Sequence, residues 1–458
     1  MSLSTQRPSP VRAPLTLGLV LAATGCLAEP SAQEATGSSA AAVTVNTVTR
    51  ESFDNQGRQG NGNSSTPYVS GNQRYVVFAS EANAWAPGVD TNGLSDVYLK
   101  DRQTGSIVLV SALDGVVGDG ESYNPSVGDN GTVVFESTAT NLVRGATSRG
   151  SKILARSLDG TVLSVDRALS GQRNGSSSRP KISGDGNVAI FESDASNLVA
   201  DDTNGATDVF VRTLSSGAVM RVSLTQGSAQ ANGNSFLGTL SYDGQVVAFS
   251  SDATNILFND GNGQTDVFAR NLATGTTSAV SFSTTGMGGA VGNGLSTAPQ
   301  ISGNGAFVSF LSASTNWDGT DTNGLFDVYV KGVGAGGAPL RISVSSAGAQ
   351  ANGASSASAI SFDGSVVAFV STASNLVAAD TNGSAHAFVR TRATGETVRV
   401  DQAGATEANG GVGSAGLRFS GSPSVPAPSL LVFDSTSSNL TWNDTNGFSD
   451  VFSASLSP

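Results

Sequence analysis

Two residue types that do much of the covalent chemistry in proteins are almost missing. The 458-residue chain has one histidine and one cysteine, so no intramolecular disulfide can form and no histidine-rich metal site can be built. Charged residues make up only 13% of the chain. The formal net charge is −12, with no run rich in lysine or arginine, which removes the electrostatic footprint that a nucleic-acid partner needs. No segment carries a helical period, and no apolar run is long enough to span a bilayer. What the chain has in quantity is glycine, 56 residues, set among short β-branched and aromatic stretches that recur at a fixed period.

The first 28 residues have a basic start, an apolar run from Ala13 to Ala23 and small residues after it, the pattern of an export signal. Cys26 follows at once. "ATGC" resembles the lipobox of bacterial lipoproteins, although Ala23 stands where leucine is commonest. The resemblance implies a signal over 1–25, acylation at Cys26 and a flexible tether over 26–41. Cleavage after Ala28 is the alternative, and it would discard Cys26 and release a soluble periplasmic or secreted protein. Either way the chain is read as exported, and lipid-anchored at the outer membrane, on its periplasmic or surface side, if Cys26 is kept.

From residue 42 to 458 each unit reads as four short strands, A to D, as in "RPKISGDG", "NVAIFES", "DVFVRTL" and "AVMRVSL". Tight turns join A to B at Ser183, Ser241, Ser302 and Ser361, where Asp-Gly or Asn-Gly supplies the primed hairpin geometry. Similar turns join C to D at Thr104, Thr274 and Thr394. Four-stranded antiparallel units repeated without helices predict an all-β fold, a seven-bladed β-propeller. The last unit lacks a D strand, and "TVTRES", Thr47 to Ser52, aligns with the D strand Ala218 to Ser223. The N-terminal strand is therefore expected to close the seventh blade and leave a monomeric ring. The units are similar to the WD40-like repeats of TolB-type propellers, on the "S-x-D-G-x-x-V-A-F-x-S" core at Ser241 to Ser250 and Ser361 to Val370. That resemblance implies the fold and an envelope setting. It does not imply TolB's own role, because the α/β domain and the six-blade count are both missing.

The B to C joins carry D-x-N-G-x-x-D, starting at Asp90, Asp202, Asp260, Asp321, Asp380 and Asp444, with later copies about sixty residues apart. One reading is calcium, held by oxygens of Asp90, Asn92 and Asp96; Asp202, Asn204 and Asp208; Asp260, Asn262 and Asp266; Asp321, Asn323 and Asp327; and Asp444, Asn446 and Asp450. The spacing looks like a shortened integrin-type loop, with Ala200 where a leading aspartate belongs. The other reading is a turn: Asn-Gly bends the chain and the aspartates meet backbone donors. Unit two replaces Asp202, Asn204 and Asp208 by Ala146, Ser148 and Lys152, so the carboxylates leave as a lysine arrives, which points to a need for positive charge here. In unit six the last carboxylate is His386, a poor calcium ligand.

Departures from the repeat cluster in the same loops: Trp85, Trp317 and Trp442, His386, and Arg144, Arg149 and Lys152. Units five, six, seven, one and two are consecutive around a ring, so these residues are expected to form one ligand-binding arc. The functional reading is a non-catalytic, envelope-anchored binding or scaffold module for a protein, peptide or glycan, with calcium as its cofactor. The alternative is a polysaccharide-degrading propeller enzyme, lyase or hydrolase. Carboxylates and arginines gathered at the axis would favour the enzyme, and a bare polar channel the module.

Overall fold

The computed structural model describes residues 41–457 except 145–149, 258–259, 284–289, 318 and 379. The signal, the tether and Cys26 lie outside the described residues, as does Arg149. No described helix is long and apolar enough to cross a membrane.

Seven four-stranded antiparallel sheets follow one another along the chain. Blade 1 runs Ser64–Val69, Tyr75–Ser80, Asp96–Asp101 and Ile107–Leu109, and blades 2 to 6 repeat this order. In blade 7, Arg418–Phe419, Leu430–Ser435 and Asp450–Ser457 are completed by Thr44–Arg50, which pairs antiparallel with Asp450–Ser457. The first and last segments of the propeller thus share a sheet, as expected from "TVTRES".

The turn chemistry explains the A–B hairpins. In blade 3 the Ser183 hydroxyl bonds Asp185 and accepts the Val188 amide at 2.9 Å, and Gly186 takes φ +75. A side chain other than glycine there would be strained. These turns also tie blades together: Gly184 N donates to Tyr242 O at 2.7 Å and Tyr242 N to Gly303 O at 2.8 Å. The alternating apolar residues of the B and C strands meet those of the next blade, and one apolar cluster lies at each of the seven blade interfaces. Each blade buries its faces only against its neighbours, so stability depends on closing the ring. The A strands line the axis, and both their starts and the B to C loops lie on the face opposite the tight turns.

Candidate functional site

The asparagine of the recurrent motif is a turn former. Asn204 Oδ1 accepts the Ala206 amide at 3.0 Å, and its Nδ2 donates to Ala231 O at 3.0 Å. Asn92, Asn262, Asn323 and Asn446 do the same with Leu94, Gln264, Leu325 and Phe448, and the following glycines take φ between +65 and +75. Their oxygens hold backbone amides, as the turn reading expects. The last aspartate of each motif accepts a serine hydroxyl from the D strand or just beyond it: Ser111 on Asp96, Ser223 on Asp208, Ser281 on Asp266, Ser343 on Asp327 and Ser52 on Asp450.

The positive charge comes from within the chain. Arg221 Nη1 lies 3.2 Å from Asp202 and 3.4 Å from Asp208. Arg341 lies 3.9 Å from Asp321 and 3.4 Å from Asp327, and Arg50 lies 3.3 Å from Asp444 and 3.5 Å from Asp450. A guanidinium from the D strand thus occupies the cation position in blades 3, 5 and 7. Two blades exchange the charges. In blade 2, Lys152 takes the place of Asp208 while Asp166 takes the place of Ser223 and pairs with Arg173. In blade 6, His386 stands with Asp401, Nδ1 to Oδ2 at 2.7 Å. Blades 1 and 4 have Leu109 and Ala279 at that arginine's position, and there burial pushes Asp96 and Asp266 up to about 6.

Blade 6 also gathers mixed donors. One ligand atom each from Asp380, His386 and Glu407 lies within 4.8 Å of the others, so the described residues include one acidic-histidine cluster with the donor types of a metal site. Burial works to lower the His386 pKa, and the Asp401 hydrogen bond and the charges of Asp401 and Asp380 outweigh it, leaving the pKa raised. Arg399 already pairs with Glu407 at 3.0 Å, so a metal here would compete with a resident guanidinium.

The expected arc does not form. Trp85 is 7% exposed, sits edge-on to Phe78 and Tyr98 with centroids 5.6 and 5.2 Å away, and donates its indole N–H to Arg58 O. Trp317 packs on Phe310 and Tyr329 in the same way. His386 is fully buried, and the Lys152 ammonium turns inward to Ala139 O. Of the arc's described residues only Trp442, 96% exposed, and Arg144, paired with Asp114, face solvent. Accordingly Trp85→Ala is expected to cost about 3–5 kcal/mol and Trp442→Ala about 0.5 kcal/mol or less, both checked by urea unfolding.

The axis holds what the loops do not. Where the A strands end, it is pinched to about 40 Å³ by residues that include Tyr242 and Phe362, whose rings meet edge-on at 5.8 Å. Toward the loop face it widens to about 280 Å³, lined in part by Arg179, Lys181, Asn124, Gln300, Ser356 and Ser358. Arg179 reaches Glu192 at 3.0 Å, and Arg418, stacked 4.6 Å over Tyr68, donates to Gln300 from across the ring. Glu136 holds Asn124 Nδ2 and the Arg179 amide, both at 3.0 Å. Asp434 occupies the same B-strand register as Glu136 and Glu192, and burial pushes it up to about 6. No hydrogen bond or ion pair among the described residues holds the Lys181 ammonium, 5.5 Å over the Tyr68 ring. Burial, reinforced by the charge of Arg418, lowers its pKa to about 8.

The backbone is strained at this level. The third residue of the A strand has φ between +49 and +53 in five blades, at Thr66, Asn124, Arg179, Leu237 and Ala298, each at a β-bulge. None of the five is glycine. Such bulges re-aim side chains, and left-handed non-glycine residues cost about 1–3 kcal/mol each, which is why they gather at functional sites. Sequence reading passed over this cluster. Its visible signal was a carboxylate inside otherwise apolar B strands, "FES" at Glu136 and Glu192 and "FDS" at Asp434.

No family model matches the chain, and neither does any curated protein. Among solved structures, an oligogalacturonate lyase in complex with manganese aligns at 12% identity over 91% of this chain and 96% of that one, TM-score 0.52. A puromycin-hydrolyzing peptidase of Mycobacterium tuberculosis aligns at 13% identity over 85% of this chain and 53% of that one, TM-score 0.50. A second oligogalacturonate lyase, from Vibrio parahaemolyticus, aligns at 11% identity over 91% and 98%, TM-score 0.48. At these identities the likeness shows the fold, a β-propeller, in proteins that are enzymes. The expectation of a non-catalytic module is corrected on this finding. The axis, too, gathers carboxylates and arginines and is no bare polar channel.

Proposed function

We propose that this chain is a propeller enzyme that cleaves acidic polysaccharides of the cell envelope by β-elimination. One observation carries the reading: Arg179 and Lys181 of blade 3 line the wide part of the axis, with Glu192 and Glu136 behind them, and Arg418 of blade 7, beside the constriction, reaches Gln300 in the wall of the wide part. Guanidinium groups match the geometry of a uronate carboxylate and neutralise it, which acidifies the proton on the adjacent carbon. An amine whose pKa is about 8 is partly neutral near pH 7 and suits the role of general base. In the step proposed, the Lys181 amine takes that proton, its electron pair becomes the new carbon–carbon double bond, the glycosidic carbon–oxygen bond breaks, and water protonates the leaving oxygen. No oxidant or hydrolytic water is consumed, and no step runs through a metal. The oligogalacturonate lyase that aligns at a TM-score of 0.52 supports the substrate class without establishing it.

The experiment is to incubate the purified chain with a panel of uronate polysaccharides and follow the ultraviolet absorbance of the unsaturated product. Product from at least one polymer is expected, and reducing ends without unsaturation would turn the reading to a hydrolase. Acylation at Cys26 belongs to the same proposal, since it would hold the enzyme beside envelope glycans. Palmitate labelling lost in Cys26→Ser is the expected sign.

A further inference from the structure

Blade 4 keeps both carboxylates of the motif and loses every group that satisfies the first of them elsewhere. In the outer-strand register Phe210 faces Arg221, Tyr329 faces Arg341 and Phe388 faces Arg399, while Phe268 faces Ala279. Gln230 and Gln350, two residues before the Asn-Gly crossing, donate to Asp202 and Asp321 in blades 3 and 5, and the same position in blade 4 is Val291. Blade 1 has lost the same two groups, to Leu109 and Val117, but there the Tyr98 hydroxyl donates to Asp90. Blade 4 has Phe268, which has no hydroxyl. Among the described residues both carboxylate oxygens of Asp260 are consequently buried without a hydrogen-bond donor, and the side chain that meets them is the Asp266 carboxyl, an arrangement unfavourable for a charged group. Asp266, in contrast, is held by Ser281 at 2.6 Å and Asn262 at 2.8 Å.

The missing arginine also leaves room. A cavity of about 400 Å³ is lined in part by Asp260, Asp266, Phe268, Ala279, Phe282 and Val291. Its one cationic lining residue among those described, Lys331, donates its ammonium to Phe282 O. We infer that this slot binds an alkylguanidinium group supplied from outside the chain, seated as the guanidinium of Arg221, Arg341 or Arg50 is seated in its own blade. Apolar walls accept an alkyl stem, and the carboxylate at the end accepts the planar donor fork. Calcium fits poorly, because it needs six to eight oxygens and one of the two carboxylates here is already engaged. The inference is independent of the axial site.

The test is thermal unfolding and calorimetric titration of the full chain with agmatine, with an arginine-containing peptide, with butylamine and with calcium chloride, on the wild type, Ala279→Arg and Asp260→Asn. Agmatine is expected to raise Tm by about 2 °C or more and butylamine by clearly less. Ala279→Arg is expected to raise Tm unaided and to remove the agmatine response, and Asp260→Asn to fold and to lose it. Response to the peptide but not to agmatine would assign the source to a protein side chain, and response to agmatine would establish that a small molecule suffices. The inference is overturned if neither guanidinium probe shifts the wild type, if Ala279→Arg responds as the wild type does, or if calcium and not guanidinium gives the shift.

Discussion

Deleting residues 42–53 is expected to yield a chain that does not reach the native fold, while deleting 29–40 leaves the melting temperature unchanged. The N-terminal strand Thr44–Arg50 supplies the outer edge of blade 7, and its last residue supplies that blade's charge balance. Arg50 lies between Asp444 and Asp450, the Ser52 hydroxyl bonds Asp450, and Glu51 pairs with Lys100 at 3.5 Å and Arg102 at 2.9 Å in blade 1. Without them a strand edge is exposed and two buried aspartates lose their cation. The single change Arg50→Ala isolates the second effect and should cost about 3–5 kcal/mol, a large part of the roughly 5–15 kcal/mol that keeps a domain folded. Equal stability of the two deletions in urea or thermal unfolding would sink the closure account.

The second large effect is on catalysis. Lys181→Met should lower kcat/KM on a uronate polymer by about 10² to 10⁴ and leave the melting temperature near that of the wild type, because the ammonium holds no hydrogen bond within the described fold. Lys181→Arg should not restore activity, since a guanidinium does not give up its proton near neutral pH. The pH profile follows from the sign of the shift. The lysine pKa is lowered to about 8 and the base form is the neutral amine, so kcat/KM should rise as pH approaches 8 and level off above it. Full activity in Lys181→Met, or a profile that falls across that range, would remove Lys181 from the reaction and leave it a structural cation of the axis.

The fold was legible because its instructions are local and repeated. Ser-x-Asp-Gly makes a hairpin from four adjacent residues, and "TVTRES" carries the D-strand pattern wherever it stands in the chain. The need for positive charge in the B to C loops was legible too, in the joint loss of Asp202 and Asp208 as Lys152 appears. What supplies that charge was not, because Arg221 lies thirteen residues from Asp208 on another strand, and Arg50 lies at the far end of the chain from Asp450. The tryptophans misled for a physical reason. An indole in a loop can sit on a surface or fill an interior, and only the position of Phe78 and Tyr98 beneath Trp85 decides between them. The axial cluster was the least legible of all, since it draws residues from all seven blades, brought together only when the ring closes.

The most direct measurement is a crystal structure of the Lys181→Met variant with an oligouronate bound. The account predicts sugar in the wide part of the axis, with a carboxylate within hydrogen-bond distance of Arg179 or Arg418 and the neighbouring carbon facing position 181. Sugar bound only on the rim, at Trp442 or along the B to C loops, with the axis vacant, would contradict it.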